Sequence, residues 1–364
     1  MILKNRITEL DGIRGFAALN VMLFHVPCWN KDFYDINFIR NGYLWVDLFF
    51  VLSGFVISLN YSLISSIREL FRFQCNRFLR LYPLHFIFLI VFLFFEIGKF
   101  FLFEYLKIKS PNTTPFVENN IIAFVFDLFL IKPFGPYKNI LTFNLPSWSI
   151  SVEFFTYLIF SILTVYFKKT KTIVFVAIAV IIFSINFFDG IKADLNYEYS
   201  IFRCLLGFSL GYLLNEFYKY YGDFLLPKFL DIIFASVIFF LINQGFFLNN
   251  GHFFALISTV FLGVIIYSKG GFLAKLLNSK IFNFLGRISY SIYISHASVL
   301  WVHNQIIRFV LKAPENLIPK YSVPYVSFLN ASFIYVSIFF STIILSYFLH
   351  NYVELPLIKK YKSV

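Results

Sequence analysis

Runs of about 17 to 25 apolar residues recur along the whole chain, each long enough to cross a bilayer as a helix. They fall at roughly 10–28, 42–60, 82–105, 149–167, 172–188, 199–217, 230–248, 252–268, 288–310 and 325–349. The pattern predicts an all-α, polytopic transmembrane bundle of about ten spans with both ends on one side. It leaves no polar stretch long enough for a soluble domain. The expected division is a membrane domain over 1–350 and a short cytoplasmic tail over 351–364.

Composition agrees with that reading. The chain is 59% hydrophobic and 14% charged, with a mean hydropathy of +0.75, far from a soluble balance. Its 54 Phe and 23 Tyr read first as lipid-facing and interfacial residues. The net charge of +12 invites a nucleic-acid reading, but the basic residues lie between apolar runs and form no basic domain. They orient the chain instead. Eighteen Lys and Arg fall in one set of connections: Lys4 and Arg6; Arg68, Arg72, Arg77 and Arg80; Lys168, Lys169 and Lys171; Lys219 and Lys228; Lys269, Lys275, Lys280 and Arg287; and Lys359, Lys360 and Lys362. The opposite set holds ten: Lys31, Arg40, Lys107, Lys109, Lys132, Lys138, Lys192, Arg308, Lys312 and Lys320. The richer side is expected to be cytoplasmic, and with it both termini.

Three cations, Arg14, Lys99 and Arg203, are left inside spans. Cys28, Cys75 and Cys204 are scattered, without metal spacing or a disulfide framework. Glu9, Asp11 and Arg14 interrupt the apolar start, so it reads as a retained first helix and not a signal peptide. Segment 120–134 is short, carries Asp127 and Lys132, and runs into Pro133, Gly135 and Pro136. It is expected to re-enter or lie at the interface on the outer side.

Ionisable groups inside spans are costly, so each is a functional candidate. Asp11 and Arg14 are three apart and can pair on one helix face. Arg14 and His25 are eleven apart, close to three whole turns, so they face the same way with roughly 16 Å of rise between them. That face must line a cavity. The plainer readings are that Arg14 snorkels to headgroups and His25 bonds a neighbouring helix. Asp47, near the outer end of the second span, is positioned to orient His25, or simply starts its helix at the interface. Arg77 and Arg80 present two guanidinium forks on one face, suited to phosphates, although any two arginines there would also serve orientation. Glu153 lies about one turn inside the fourth span and needs a partner; His25 and Arg203 lie at compatible depth. Tyr290 and His296 follow on the ninth span, where His296 is more simply a packing histidine. The motif 352-YVELP-356 closes the last helix.

Five stretches taken together resemble the membrane acyltransferase-3 family of bacterial O-acyltransferases: 10-LDGIRGFAALNVMLFH-25, 46-VDLFFVLSGFVIS-58, 77-RFLRLYP-83, 148-WSISVE-153 and 285-LGRISYSIYISH-296. They occur in family order over almost the whole chain. Family members modify O-antigens, exopolysaccharides, peptidoglycan, nodulation factors and macrolides. The resemblance implies a bacterial inner-membrane O-acyltransferase. Its donor would be an acyl-CoA, usually acetyl-CoA, its acceptor a carbohydrate such as an O-antigen or exopolysaccharide, and its partners membrane lipid but neither metal nor nucleic acid. Arg14 and His25 match the family's Arg-x10-His signature, Arg77 and Arg80 its Arg-x-x-Arg element, and Glu153 the carboxylate of its Trp-Ser-x-Ser-x-Glu stretch, with Trp148 and Ser151 beside it. Phe154 departs from the pattern, since many relatives have a second acidic residue there. About fifteen residues follow the last span, so transfer is expected to be completed by the membrane domain or by a separate protein.

On this reading Arg77, Arg80 and Arg14 bind the donor. His25 acts as general base or accepts the acyl group itself, with Asp47 or Glu153 orienting it, and Asp11, Arg203, Tyr290 and His296 support the site. The competing class is a polysaccharide or lipid-linked sugar transporter, in which the same buried charges relay protons or bind an anion. A sugar-donor transferase is a third reading, weakened by acidic residues too scattered for a metal cluster.

Overall fold

The computed structural model describes residues 7–61, 64–108, 110, 112–134, 142–188, 200–248, 251–318 and 321–362. Of the basic residues counted above, Lys4, Arg6, Lys109, Lys138, Lys192 and Lys320 lie outside the described residues.

Among the described residues, ten long helices, α1 to α10, coincide with the ten apolar runs: α1 Thr8–Phe24, α2 Trp45–Tyr61, α3 Ile67–Glu104, α4 Ser147–Tyr166, α5 Lys171–Phe188, α6 Ser200–Tyr221, α7 Leu230–Asn243, α8 Gly251–Tyr267, α9 Lys280–Gln305 and α10 Phe328–Leu349. The architecture is that of an all-α membrane protein. Among the described residues, four helical stretches are long and apolar enough to cross a bilayer: Gly42–Tyr61, Ile67–Glu104, Ser147–Tyr166 and Phe328–Lys360. The stretch holding α2 is mostly buried, whereas α3 and α10 are largely exposed, as expected of a central helix and two lipid-facing ones. The shorter helices α7 and α8 are apolar over 14 and 17 residues.

Two backbone contacts fix the centre. A Cβ at Gly286 on α9 would come within 2.2 Å of the Asp11 carbonyl oxygen on α1, and one at Gly211 on α6 within 2.0 Å of the Val51 carbonyl oxygen on α2. Only glycine permits helices to approach so closely, and membrane helices associate through such small residues. The pairs α1/α9 and α2/α6 therefore form the closest helix seams at the centre of the described residues.

Three segments differ from the sequence reading. The arginine-rich stretch and the third span form one helix of 38 residues, α3, with Pro83 inside it. Ser66 caps its start by accepting from the Glu69 amide, and the Glu69 carboxylate accepts from the Ser65 amide at 2.7 Å. Second, the tail expected after 350 continues as helix. His350–Glu354 winds as a π-helical turn, followed by Leu355–Lys362. Pro356 has no amide to donate, and the wider turn precedes it directly. Third, the connection before α10 holds a two-stranded antiparallel hairpin, β1 Glu315–Ile318 and β2 Tyr321–Pro324.

Segment 120–134 contains a helix of eight residues, Ile121–Leu128, with a rise of about 12 Å that cannot cross a hydrocarbon core. Its Asp127 is buried and pairs with buried Lys132 at 3.1 Å; Ser147, the first residue of α4, donates to the same carboxylate at 3.0 Å. A carboxylate there also faces the positive end of the α4 dipole.

Candidate active site

Every cation stranded inside a span has a carboxylate partner. Arg14 reaches Asp11 at 3.4 Å, the pairing expected from their spacing; Lys99 reaches Glu96 at 2.7 Å; Arg203 grips Asp47 through two bonds of 3.1 and 2.8 Å. Such pairing is what makes a charge tolerable at membrane depth.

A cavity of about 110 Å³ opens between α1, α2, α3, α4 and α9. Its wall includes Arg14 from α1, Ser53 from α2, Arg77 and Arg80 from α3, Ser149, Glu153 and Tyr157 from α4, and Ser289, Tyr290 and Tyr293 from α9. Three guanidiniums thus meet one carboxylate, which leaves the lining positive. Arg77 donates to the Tyr61 hydroxyl at 2.9 Å and lies over the Tyr61 ring, while its buried Nε has no partner among the described residues. Arg80 donates no hydrogen bond to the described residues. Glu153 accepts from the Ser53 and Tyr157 hydroxyls, both at 2.5 Å. The Tyr290 hydroxyl donates to the Leu81 carbonyl and ties α9 to α3 just before Pro83.

His25 stands at the other end of the α1/α9 seam. Helix α1 stops at Phe24, Pro27 follows, and Arg40 donates to the freed Phe24 carbonyl at 3.0 Å. His25 is the C-cap residue. Its Nδ1 lies 2.9 Å from the Val21 carbonyl and 3.1 Å from Nε2 of His296, whose own Nδ1 lies 3.2 Å from the Ile292 carbonyl. A nitrogen facing a carbonyl must carry the proton, so both rings are protonated on Nδ1. The His25 N–H is then shared between Val21 and the lone pair of His296 Nε2. His25 Nε2 keeps its own lone pair and bonds to none of the described residues.

Tyr293 connects the two centres. Its side chain lines the cavity, its hydroxyl lies 2.7 Å from that of Ser149, and its ring sits edge-on to His296 at 6.0 Å between centroids.

The structure therefore gathers Arg14, Arg77, Arg80, Glu153 and Tyr290 in one cavity and brings His25 to His296. It does not bring Asp47 or Glu153 to His25, as their positions near the outer side had suggested. Asp47 is in the first turn of α2, on the face packed against α6, and is held by Arg203, which lies over Trp148 at 5.7 Å. Ser151 is buried and bonds within its own helix, to Ser147. Ser149 and Tyr157 were not singled out from sequence, although each is four residues from Glu153 and so shares its helix face.

The family model described as "Acyltransferase domain" matches residues 7–351. The chain belongs to the acyltransferase-3 family. A Staphylococcus aureus (strain COL) protein provisionally named an O-acetyltransferase is 26% identical over 335 residues, covering 82% of this chain and 51% of that protein. O-acetyltransferase OatA of Staphylococcus aureus (strain NCTC 8325 / PS 47) is 26% identical over 319 residues, covering 80% of this chain and 50% of that protein. Acyltransferase MdmB of Streptomyces mycarofaciens is 32% identical over 163 residues, covering 43% of this chain and 38% of that protein. The chain spans about half the length of the Staphylococcus relatives. No solved structure matches the chain.

Proposed function

We propose that this chain is an O-acyltransferase that moves an acyl group, usually acetyl, from acyl-CoA to a hydroxyl of a carbohydrate on the far side of a bacterial inner membrane. The observation that carries the reading is the free Nε2 of His25, held by Val21 and His296 at one end of a helix seam whose other end is an arginine-lined cavity. The termini are cytoplasmic on this reading, so the cavity faces the cytoplasmic donor.

The phosphates of CoA are polyanionic and suit Arg77, Arg80 and Arg14. The pantetheine arm then follows the seam, whose rise from Arg14 to His25 is roughly 16 Å. At its end, Nε2 of His25 takes the proton of the acceptor hydroxyl as the oxygen attacks the thioester carbonyl. The carbon–sulfur bond breaks, and the leaving CoA thiolate recovers the proton from the imidazolium. His296 Nε2 accepts a hydrogen bond from the His25 Nδ1–H throughout and keeps the ring in the tautomer the step requires. Glu153, with Ser53 and Tyr157, balances part of the positive charge in the donor cavity. Asp47 and Arg203 fasten α2 to α6.

The test is transfer itself. Membrane vesicles containing the chain, given [14C]acetyl-CoA from the cytoplasmic side, should place label in an alkali-labile ester on the glycan fraction. Movement of unmodified glycan across the membrane without consumption of acetyl-CoA would establish a transporter instead.

A further inference from the structure

Two arginines among the described residues have a buried Nε with no hydrogen-bond partner: Arg77 in the cavity, and Arg40 at the other end of the α1/α9 seam, beside His25. Arg40 ends the short helix Asn37–Arg40 in the connection between α1 and α2. Its Nη2 donates at 3.0 Å to the carbonyl of Phe24, the residue before His25. The Phe24 ring lies 5.6 Å from the guanidinium carbon and 5.0 Å from the His25 ring. That carbonyl occupies one of the five N–H groups of Arg40, and a lysine could cap it equally well. The guanidinium also lies over Tyr34, 3.7 Å from the ring centroid. So short a contact engages the face of the guanidinium and leaves its N–H edges to a ligand. Unlike Arg14, Arg203 and Arg308, Arg40 has no carboxylate partner among the described residues; Asp32 and Asp35 on the same loop are exposed and do not pair with it. The flanking Asn37 and Asn41 donate to the carbonyls of Asn243 and Ile242 at 2.8 and 3.3 Å, which fixes the loop against the end of α7. From α10, Tyr335 stacks on the loop residue Phe33 at 4.8 Å, and its buried hydroxyl also lacks a partner among the described residues. Buried polar groups are normally bonded, so orphans held on one fixed loop point to a polar ligand.

We propose that Arg40 is a specificity-determining residue for the acceptor: it binds an oxyanion of the acceptor, a sugar carboxylate or a phosphoryl group, and so sets a neighbouring hydroxyl against Nε2 of His25. The inference rests on the reading of His25 as the base given above. An arginine meets either oxyanion with two parallel bonds, whereas a neutral acceptor leaves the buried Nε donor unmet.

The experiment measures CoA release from acetyl-CoA by wild type, Arg40→Ala and Arg40→Lys in nanodiscs. The acceptors are methyl glucoside, methyl glucuronide, glucose 1-phosphate and the cell-envelope glycan fraction. Wild type should show a KM about tenfold lower for an acidic acceptor than for methyl glucoside. Preference for the glucuronide identifies a sugar acid, and preference for glucose 1-phosphate a phosphoryl group. Arg40→Ala should raise KM for the preferred acidic acceptor about tenfold and leave KM for methyl glucoside and for acetyl-CoA within about twofold. Arg40→Lys keeps a charge and a donor for the Phe24 carbonyl but loses the fork. It should shift the same KM by less, and it carries the test if Arg40→Ala does not fold. Equal losses with every acceptor, as a purely structural arginine would give, would overturn the inference. So would a wild type without acidic preference, an acidic preference that survives Arg40→Ala, or acylation of the glycan fraction with neither acidic probe used. No CoA release with any acceptor would overturn the transferase reading, and this inference with it.

Discussion

His296 Nε2 lies 3.1 Å from His25 Nδ1, and that contact decides which nitrogen of His25 is left free. Because His296 Nδ1 is turned to the Ile292 carbonyl, its Nε2 can only accept. The pair is therefore directional, with His25 as the donor. Replacing His296 with alanine removes an orienting partner and leaves the proposed base, His25, in place. We expect kcat to fall roughly ten- to a hundredfold with KM for the donor unchanged, which steady-state kinetics on purified protein checks.

Arg77 and Arg80 lie on one face of α3 and line the cavity proposed for the donor. Loss of a charge-assisted bond is worth about 1.5–3 kcal/mol, so Arg77→Ala or Arg80→Ala should raise KM for acetyl-CoA by roughly ten- to a hundredfold. The penalty belongs to binding, and isothermal titration with CoA should show it without any turnover.

Asp47 and Arg203 form a buried, two-bond pair, with side chains 7% and 13% exposed. Asp47→Ala leaves the guanidinium uncompensated and should cost about 3–5 kcal/mol of stability, seen as a lower melting temperature in detergent. Replacing both residues with Leu and Met should recover most of that loss. If Asp47 oriented the base instead, its alanine variant would stay folded and lose kcat.

The hairpin offers a pH test outside the membrane. Arg308 donates to Glu315 at 2.6 Å and the Ser322 hydroxyl does so at 2.6 Å; these bonds hold the Glu315 carboxyl below its usual range. A depressed carboxylate stabilises the fold above its unfolded pKa, and the effect is lost as pH falls through the folded value. Protection from hydrogen exchange at the amides of Glu315–Ile318 and Tyr321–Val323, taken relative to the intrinsic rate at each pH, should therefore be unchanged from neutral pH down to about pH 4.3 and fall below it. Glu315→Gln should show the faster exchange already at neutral pH.

Much of this was legible in the sequence. Apolar runs marked the ten long helices among the described residues, because a helix side that faces lipid must be apolar; that all ten cross the bilayer is not part of that agreement. The eleven-residue spacing placed Arg14 and His25 on one face, and the three-residue spacing paired Arg14 with Asp11. What stayed hidden was tertiary. Depth could not tell whether Asp47 meets His25 on α1 or Arg203 on α6, since both lie near the same level. His296 looked like packing because nothing in its own helix shows that α1 ends opposite it. The third apolar run begins only at 82, but α3 starts at Ile67 and runs through Pro83, with Tyr290 bonded to the neighbouring Leu81 carbonyl.

The most direct test of the account is release of CoA from acetyl-CoA by purified wild type and His25→Ala in nanodiscs, with acceptor glycan present. CoA binding by both should be measured alongside. The account predicts release by wild type, and for His25→Ala unchanged CoA binding with a rate lower by about 10²- to 10⁴-fold. Release by His25→Ala at the wild-type rate would contradict it.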